Sequence, residues 1–417
     1  MLSNAAGKPV FSETPQAFLW LFSDAGLKEF FRWLERKTEF SDELKLTAAL
    51  RKEFSSDRAS ALAGQILIQD KVQKKFPGVA ALFATEKGIQ QSTDAAIAQY
   101  KAQAALLPAD SDLSFADLCC GIGGDLLGFS ARFRAWGADA DPLTALMAQT
   151  NCRLAGLKTE VFCSLAEQAD VSKCEIIHID PDRRPAGHRT TQADYFLPPL
   201  ETINHIITSA QRVIIKSAPG ADIPPEWQSQ AHWEWIEHNG ECRQAVGWFG
   251  FESAAFKPGN RSAVMVDNNG GAVGFTANYP AARRSNSSQK HTGAIPSGAY
   301  IYDPAPALCA ADLVGAFAKE NGLEEIPQCA YLTGKNLVVS PLVSAFVVDE
   351  DLPLDPRRVK AALKQRGWEN VVIKKRGAVP EPDSFRKKLG VSNRALPNAP
   401  VLLLFERHAV LAQRTLN

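Results

Sequence analysis

Residues 115–141 read FADLCCGIGGDLLGFSARFRAWGADAD, and the order of residue types within them decides the fold. Phe115, Ala116, Asp117 and Leu118 have the make-up of a short, mostly apolar strand. A turn containing Gly121, Gly123 and Gly124 follows, then an amphipathic helix through Leu126, Leu127 and Phe129. A second strand over 135–140 brings Asp139 and Ala140 to its carboxyl end. A strand, glycine turn, helix and strand, with an acid about 20 residues beyond the turn, form a nucleoside-binding unit of a doubly wound sheet. Glycine lets the backbone bend sharply and lie close to a ligand. The acid can take both ribose hydroxyls.

A dinucleotide site needs G-x-G-x-x-G, and Leu126 stands where the third glycine would fall. Asp117, four residues before Gly121, is unusual for dinucleotide binders and is expected where the ligand carries a methionine ammonium. The run D-L-C-C-G-I-G-G-D at 117–125 resembles motif I of class I S-adenosylmethionine (SAM) methyltransferases. That resemblance implies SAM as cofactor, with Asp117, Cys119, Gly121, Gly123, Asp139, Ala140 and Ser164 around it. Cys119 departs from the glycine that many members carry there. Asp141-Pro142 reads as a helix N-cap followed by proline at the first helical position.

Downstream, strands are expected at 160–164, 175–179 and 211–216, then more closely spaced at 233–237, 244–249 and 261–266. Helical intervals early and short spacings late predict an α/β fold, a Rossmann-like sheet that is mostly parallel with an antiparallel edge. Ligands of such sheets sit outside the carboxyl ends of the strands. The rule gathers Asp117, Gly121, Asp139, Ser164 and Asp180 around one crevice. Residues 237–256 read as a hairpin at the sheet edge, where Trp248, Phe249 and Phe251 offer either a stacking face or sheet core.

The second constellation is IHIDPDRRPAG at 177–187. Asp180-Pro181 falls at the end of the fourth strand, where class I methyltransferases carry motif IV beside the methyl group. The aromatic residue that amino-nitrogen methylases of bases place there is replaced by Asp182 and Arg183. Pyrimidine C5-methylases need a nucleophilic cysteine after the fifth strand, because an sp² carbon must be activated by addition. This chain has Lys216-Ser217-Ala218-Pro219 instead, which rules out that covalent route. Direct in-line transfer to nitrogen or oxygen remains, driven mainly by positioning. Asp180, Pro181 and Arg183 are the candidate catalytic residues, with Asp180 orienting the acceptor or taking its proton. Arg183 and Arg184 either grip a phosphate or carboxylate through their planar forks or lock the loop against an acid. His178, inside the strand, reads as a core histidine.

The chain of 417 residues is 45% hydrophobic, enough for two or three cores. Lysine plus arginine and aspartate plus glutamate each total 46, so net charge alone points to no nucleic-acid partner. The start MLSNAAGKPVFSE has neither the basic nor the apolar segment of a signal peptide. No run of about 18 apolar residues is present to span a membrane. Eight cysteines without C-x-x-C spacing read as reduced thiols in a cytoplasmic protein and not as a metal site. Residues 1–107 are helical in pattern and read as a preface that packs on the following sheet, with substrate contact the alternative.

Residues 299–417 begin with strand and helix and continue as helix, strand and helix, with a closing strand at 401–406. Between Arg357 and Arg394 lie twelve basic residues against three acids. Such a concentration in one small α/β module is either the footprint of a phosphate-backbone binder or a solvated basic face. The motifs D-L-C-C-G-I-G-G-D, I-D-P-D-R-R at 179–184, G-E-C-R at 240–243, W-F-G at 248–250 and I-K-K-R-G at 373–377 together resemble one bacterial family. Its members are class I SAM-dependent methyltransferases with a C-terminal THUMP-like domain. The resemblance covers roughly 85–417 and implies, after the helical region over 1–107, a methyltransferase domain over 108–280 and a THUMP-like domain over 299–417. It also implies RNA, tRNA or rRNA, as partner, gripped by 357–394, and a target base taken out of its stack. Methylation of a small molecule or protein, and SAM and RNA binding without catalysis, are the competing readings.

Overall fold

The computed structural model describes residues 14–107, 112–181, 196–278, 290–291, 293–377, 379–392 and 399–415. The chain folds into two compact units. One holds 1–232, 245–258 and 266–271; the other holds 233–244, 259–265 and 272–417.

The first unit opens with helices α1 (Gln16–Leu21), α2 (Asp24–Glu35), α3 (Glu43–Leu50), α4 (Ser56–Lys75), α5 (Glu86–Gln91) and α6 (Ala95–Ala104). Their apolar faces enclose a core of Leu21, Phe30, Trp33, Leu62, Ile66 and Phe83, which continues onto Ile122 and Met147. The N-terminal helices thus pack on the segment that follows them. Two glycines let the backbones come close in that packing. A Cβ on Gly128 would come within 2.8 Å of the Ala98 backbone, and one on Gly124 within 3.0 Å of the Thr93 carbonyl oxygen. Asn151, almost fully buried, ties the same seam by donating to the carbonyls of Phe83 and Ile122, each at 2.9 Å.

The strands and helices that build the site are β1 (Ser114–Leu118), α7 (Gly124–Ser130), β2 (Arg134–Asp139), α8 (Pro142–Leu154), β3 (Glu160–Cys163), β4 (Ile176–Ile179), α9 (Leu200–Ser209), β5 (Arg212–Ser217) and α10 (Pro225–Gln230). They are followed by β6 (Ala231–His238), β7 (Glu241–Phe249), β8 (Asn260–Val266) and β9 (Ala272–Asn278). The sheet runs β3-β2-β1-β4-β5-β7-β6-β8-β9. Pairing is parallel from β3 to β5 and antiparallel from β5 to β7. This is the α/β architecture expected. The hairpin expected at the edge is interior, because β7 pairs with β5 and two further strands lie beyond β6. Trp248 and Phe251 are each 1% exposed and Phe249 is 3% exposed, so these rings are core and offer no stacking face.

Strand β1 lies between β2 and β4, so the turn after it and the ends of its neighbours open on the same edge. Gly137 of β2 leaves room for the Leu126 side chain, whose end a Cβ there would meet at 2.7 Å. The side chain of Asp141 caps α8 by accepting from the Thr144 amide at 2.7 Å, with Pro142 at its first position, as expected.

The C-terminal elements are β10 (Tyr300–Pro304), α11 (Pro306–Ala310), α12 (Val314–Glu320), β11 (Glu324–Glu325), β12 (Leu332–Gly334) and β13 (Val343–Pro353). Then come α13 (Pro356–Gln365), β14 (Val372–Lys375), α14 (Pro382–Leu389), β15 (Val401–Phe405) and β16 (His408–Arg414). Their sheet runs β11-β12-β10-β13-β16-β15-β14. The strand VLLLF is buried on both faces: Leu402 and Leu404 pack under α13 and α14, while Val401, Leu403 and Phe405 face Tyr331 and Phe346. It is not the closing strand. The chain turns after it and inserts β16 between β15 and β13.

Candidate active site

The crevice is built on the turn Cys119–Gly123. Cys119, Gly121 and Gly123 have φ of +61°, +57° and +88°, so the backbone leaves β1 through repeated left-handed residues. A Cβ on Gly121 would meet nothing within 4 Å, so this glycine borders open space. One on Gly123 would rest against Ala148 at 3.5 Å, and that glycine serves the turn into α7. Asp139, at the end of β2, faces the turn: its Oδ2 accepts from the Gly121 amide at 2.9 Å, and its Oδ1 from the Asp141 amide at 3.0 Å. Burial raises the pKa of Asp139, and the two amide donors partly offset the rise. Ala140, beside it, is exposed. Ser164, past the end of β3, donates its amide to the Asp139 carbonyl at 3.0 Å. Its half-buried side chain adjoins Leu165, an apolar residue left 49% exposed.

Asp117 is 1% exposed. Its Oδ1 lies 2.7 Å from Nδ1 of His178, while Oδ2 has no hydrogen-bond partner. Burial raises its pKa against the pull of His178. A buried carboxylate oxygen left unpaired costs free energy unless a ligand supplies the donor. His178 is fully buried, as the sequence suggested for a core histidine, but it is also part of a cluster of charges. Its Nε2 lies 3.3 Å from Nζ of Lys101, on α6. Lys101 pairs with Asp125 of α7 at 2.6 Å, and Thr93 donates to the other Asp125 oxygen at 2.6 Å. Burial drives the pKa of Lys101 down despite Asp125. Burial also opposes the charge of Asp125, but Lys101 and Lys216 overcome it and hold that carboxyl well below the usual range.

Asp180 stands at the end of β4, where its amide donates to the Leu118 carbonyl at 3.3 Å. Its Oδ2 lies 2.6 Å from Nζ of Lys216, the penultimate residue of β5. Behind it, Lys216 donates to the Gln91 carbonyl at 3.3 Å and lies 3.9 Å from Asp125. Burial works against the Lys216 charge, but Asp180 and Asp125 outweigh it and raise its pKa. Pro181 follows and is buried. Asp182, Arg183 and Arg184 lie outside the described residues.

Asp117, Cys119, Gly121, Asp139, Ser164 and Asp180 therefore gather at the carboxyl ends of β1 to β4. Sequence reasoning missed Lys101, Asp125 and Lys216. The local sign for Lys216 was a lysine following Val213, Ile214 and Ile215 in a buried strand. Among the described residues, no group of histidine, cysteine, aspartate and glutamate could hold a metal ion, and no helix is long and apolar enough to cross a membrane.

In the C-terminal unit the basic residues divide. Lys374 and Arg376 both grip Asp303, at 2.6 and 2.7 Å; Lys375 pairs with Glu381, and Arg366 with Glu350 at 2.8 Å. The I-K-K-R-G motif is thus largely structural. Arg357, Arg358, Lys360 and Lys364 on α13, and Lys387 and Lys388 on α14, are exposed, and no ion pair engages them among the described residues. The two helices adjoin, since Nζ of Lys360 lies 3.7 Å from where a Cβ on Gly390 would stand.

A family model described as "THUMP domain-like" matches residues 343–413, which run from β13 into β16. The chain is 27% identical over 343 residues to an uncharacterized S-adenosylmethionine-dependent methyltransferase of Mycobacterium tuberculosis, found in strains CDC 1551 and H37Rv. The match spans 80% of this chain and 89% of that relative. Among solved structures, a protein described as "putative methyltransferase from Porphyromonas gingivalis W83" shares the fold, with a TM-score of 0.75 at 17% identity. That likeness covers 94% of this chain and 99% of the other.

Proposed function

We propose, for a chain that belongs to the class I SAM-dependent methyltransferases with a C-terminal THUMP-like domain, that it methylates a base of structured RNA by direct, non-covalent transfer. SAM is the cofactor, and it supplies a methyl group made electrophilic by a positively charged sulfur. The residues at the turn fit such a ligand. Asp139, set against the turn, would hold the ribose hydroxyls; the unpartnered Oδ2 of Asp117 would receive the ammonium; the open side of Gly121 admits close approach. The observation that carries the reading is this opposition of Asp139 and Gly121 across one turn, with a buried acceptor waiting beside it.

Asp180, partly exposed and pinned by Lys216, presents a carboxylate where the acceptor would lie. It would accept a hydrogen bond from the acceptor and orient its lone pair. Positioning of this kind supplies most of the rate in a direct displacement. The RNA part of the proposal rests on the six exposed cations of α13 and α14, whose charge is not spent within the fold. Incubation with tritiated SAM and total RNA from a deletion strain tests it, with Asp180→Ala as control. Label entering RNA with the wild type and not with the control supports the proposal. Label entering only protein or small molecules overturns the substrate.

A further inference from the structure

The chain of contacts behind Asp117 begins outside the nucleotide-binding elements. Thr93 donates to Asp125 at 2.6 Å; Asp125 holds Lys101 at 2.6 Å; Lys101 lies 3.3 Å from Nε2 of His178; and His178 meets Asp117 at 2.7 Å. Lys101 and His178 are fully buried, and Asp117 and Asp125 nearly so. An ammonium has only protons to give, so Lys101 can bond Nε2 only if that nitrogen offers its lone pair. The ring proton that faces Asp117 then sits on Nδ1 and is donated to it. Oδ1 of Asp117 is thereby used, and its Oδ2 is left over.

We propose that Lys101, a residue of the N-terminal helices, is a positioning residue for the methyl donor, acting through His178 to aim the free oxygen of Asp117 at the donor's ammonium. The inference rests on the donor reading above and assigns the N-terminal region a part in it. The close seam of α6 on α7 serves the same end. Ala98 abuts Gly128 one turn before Lys101, and Gly124 adjoins Asp125, so the glycines set the depth at which lysine and acid meet. Burial raises the pKa of Asp117, and the hydrogen bond from His178 works against that rise.

The test compares two nucleosides by calorimetry. S-adenosylhomocysteine carries the ammonium, and methylthioadenosine has the same adenosine and sulfur without it. Two variants break the relay in different ways. Lys101→Met combined with Asp125→Asn removes both members of the buried pair together, which spares the fold an orphaned charge. His178→Phe keeps a ring beside Phe115 and Phe129, which now lie 6.3 and 6.2 Å from it. In each, affinity for S-adenosylhomocysteine is expected to fall about 10- to 100-fold, as when a charged hydrogen bond is lost. Affinity for methylthioadenosine is expected to stay within about two-fold of wild type. Unchanged affinity for S-adenosylhomocysteine, or an equal fall for both nucleosides, overturns the inference. A wild-type protein that binds neither nucleoside overturns the donor reading itself, so the two failures are distinct.

Discussion

Nζ of Lys216 lies 2.6 Å from Oδ2 of Asp180, and the lysine is the more deeply buried partner. The acid is thus fixed from behind by a cation that cannot swing into solvent, because the Gln91 carbonyl and Asp125 hold its other side. Lys216→Met should leave Asp180 without its anchor. Methyl transfer to RNA is expected to fall at least about 100-fold, with S-adenosylhomocysteine affinity within about two-fold of wild type and partial rescue in Lys216→Arg. The raised pKa of Lys216 sets the pH window. Its charge, and the stability that charge supplies, is fully present below the ordinary lysine value of about 10.4 and is lost only above it. Activity should therefore show no alkaline loss from this residue below about pH 10. A loss in rate matched by an equal loss in nucleoside affinity would make Lys216 a residue of the donor pocket instead.

In the proposed reading Asp139 would hold the donor by a different route from Asp117, and the two are separable. Asp139→Ala removes the acceptor of the Gly121 and Asp141 amides along with the proposed ribose contact. Binding of S-adenosylhomocysteine should weaken by about 1–3 kcal/mol, and binding of methylthioadenosine by a similar amount, since both carry the ribose. Calorimetry that finds either affinity unchanged would remove Asp139 from the site.

The glycine turn, Asp139 and the parallel strands are legible in the sequence because their meaning lies in short spacings along one βαβ unit. Strand order is not local. Nothing in 241–249 says that this strand slips between β5 and β6, so the hairpin reads as an edge until the pairing is seen. The last strand is hidden for a similar reason: 401–405 is so apolar that it looks terminal, although 408–414 is what closes the ladder. The ion cluster is harder still. Lys101 and His178 are 77 residues apart, and Lys216 meets Gln91 across 125 residues. In isolation, Lys101 on an alanine-rich helix and Asp125 in a first helical turn look like ordinary solvated charges.

Cys119 holds a conformation suited to glycine, at φ +61°. A side chain in the left-handed region costs about 1 kcal/mol, and the greater freedom of glycine in the unfolded chain returns part of that. Cys119→Gly should therefore stabilise the unit by about 0.5 kcal/mol, seen as a higher midpoint in urea, with nucleoside affinity kept. A lower midpoint would mean that the thiol contributes packing worth more than the strain.

The exposed cations of α13 and α14 can be removed without touching a core side chain. Replacing Arg357, Arg358, Lys360 and Lys364 by glutamine should weaken RNA binding and flatten its salt dependence. The slope of log K against log salt should fall by up to about 3, at about 0.7 per phosphate contact on single strands. Nucleoside affinity should not change. An unaltered salt slope would show that RNA is held elsewhere, and the basic face of α13 would then be a solvated surface.

Asp125 makes the stability of the fold depend on acid. Its carboxyl is held well below the usual range, chiefly by Lys101 and with help from Lys216, once the cost of burial is overcome. As pH falls through about 4, the unfolded chain takes up a proton there and the folded chain does not. The stabilisation is complete above that pH and drains away as the pH drops toward the folded value. Asp125→Asn leaves Lys101 buried without its counterion and should cost about 3–5 kcal/mol at neutral pH. Urea unfolding of both proteins from pH 7 to pH 3 should show the gap narrowing only below about pH 4. A gap that stays constant to pH 3 would mean that the loss comes from packing and not from the charge that ties the N-terminal helices to the crevice.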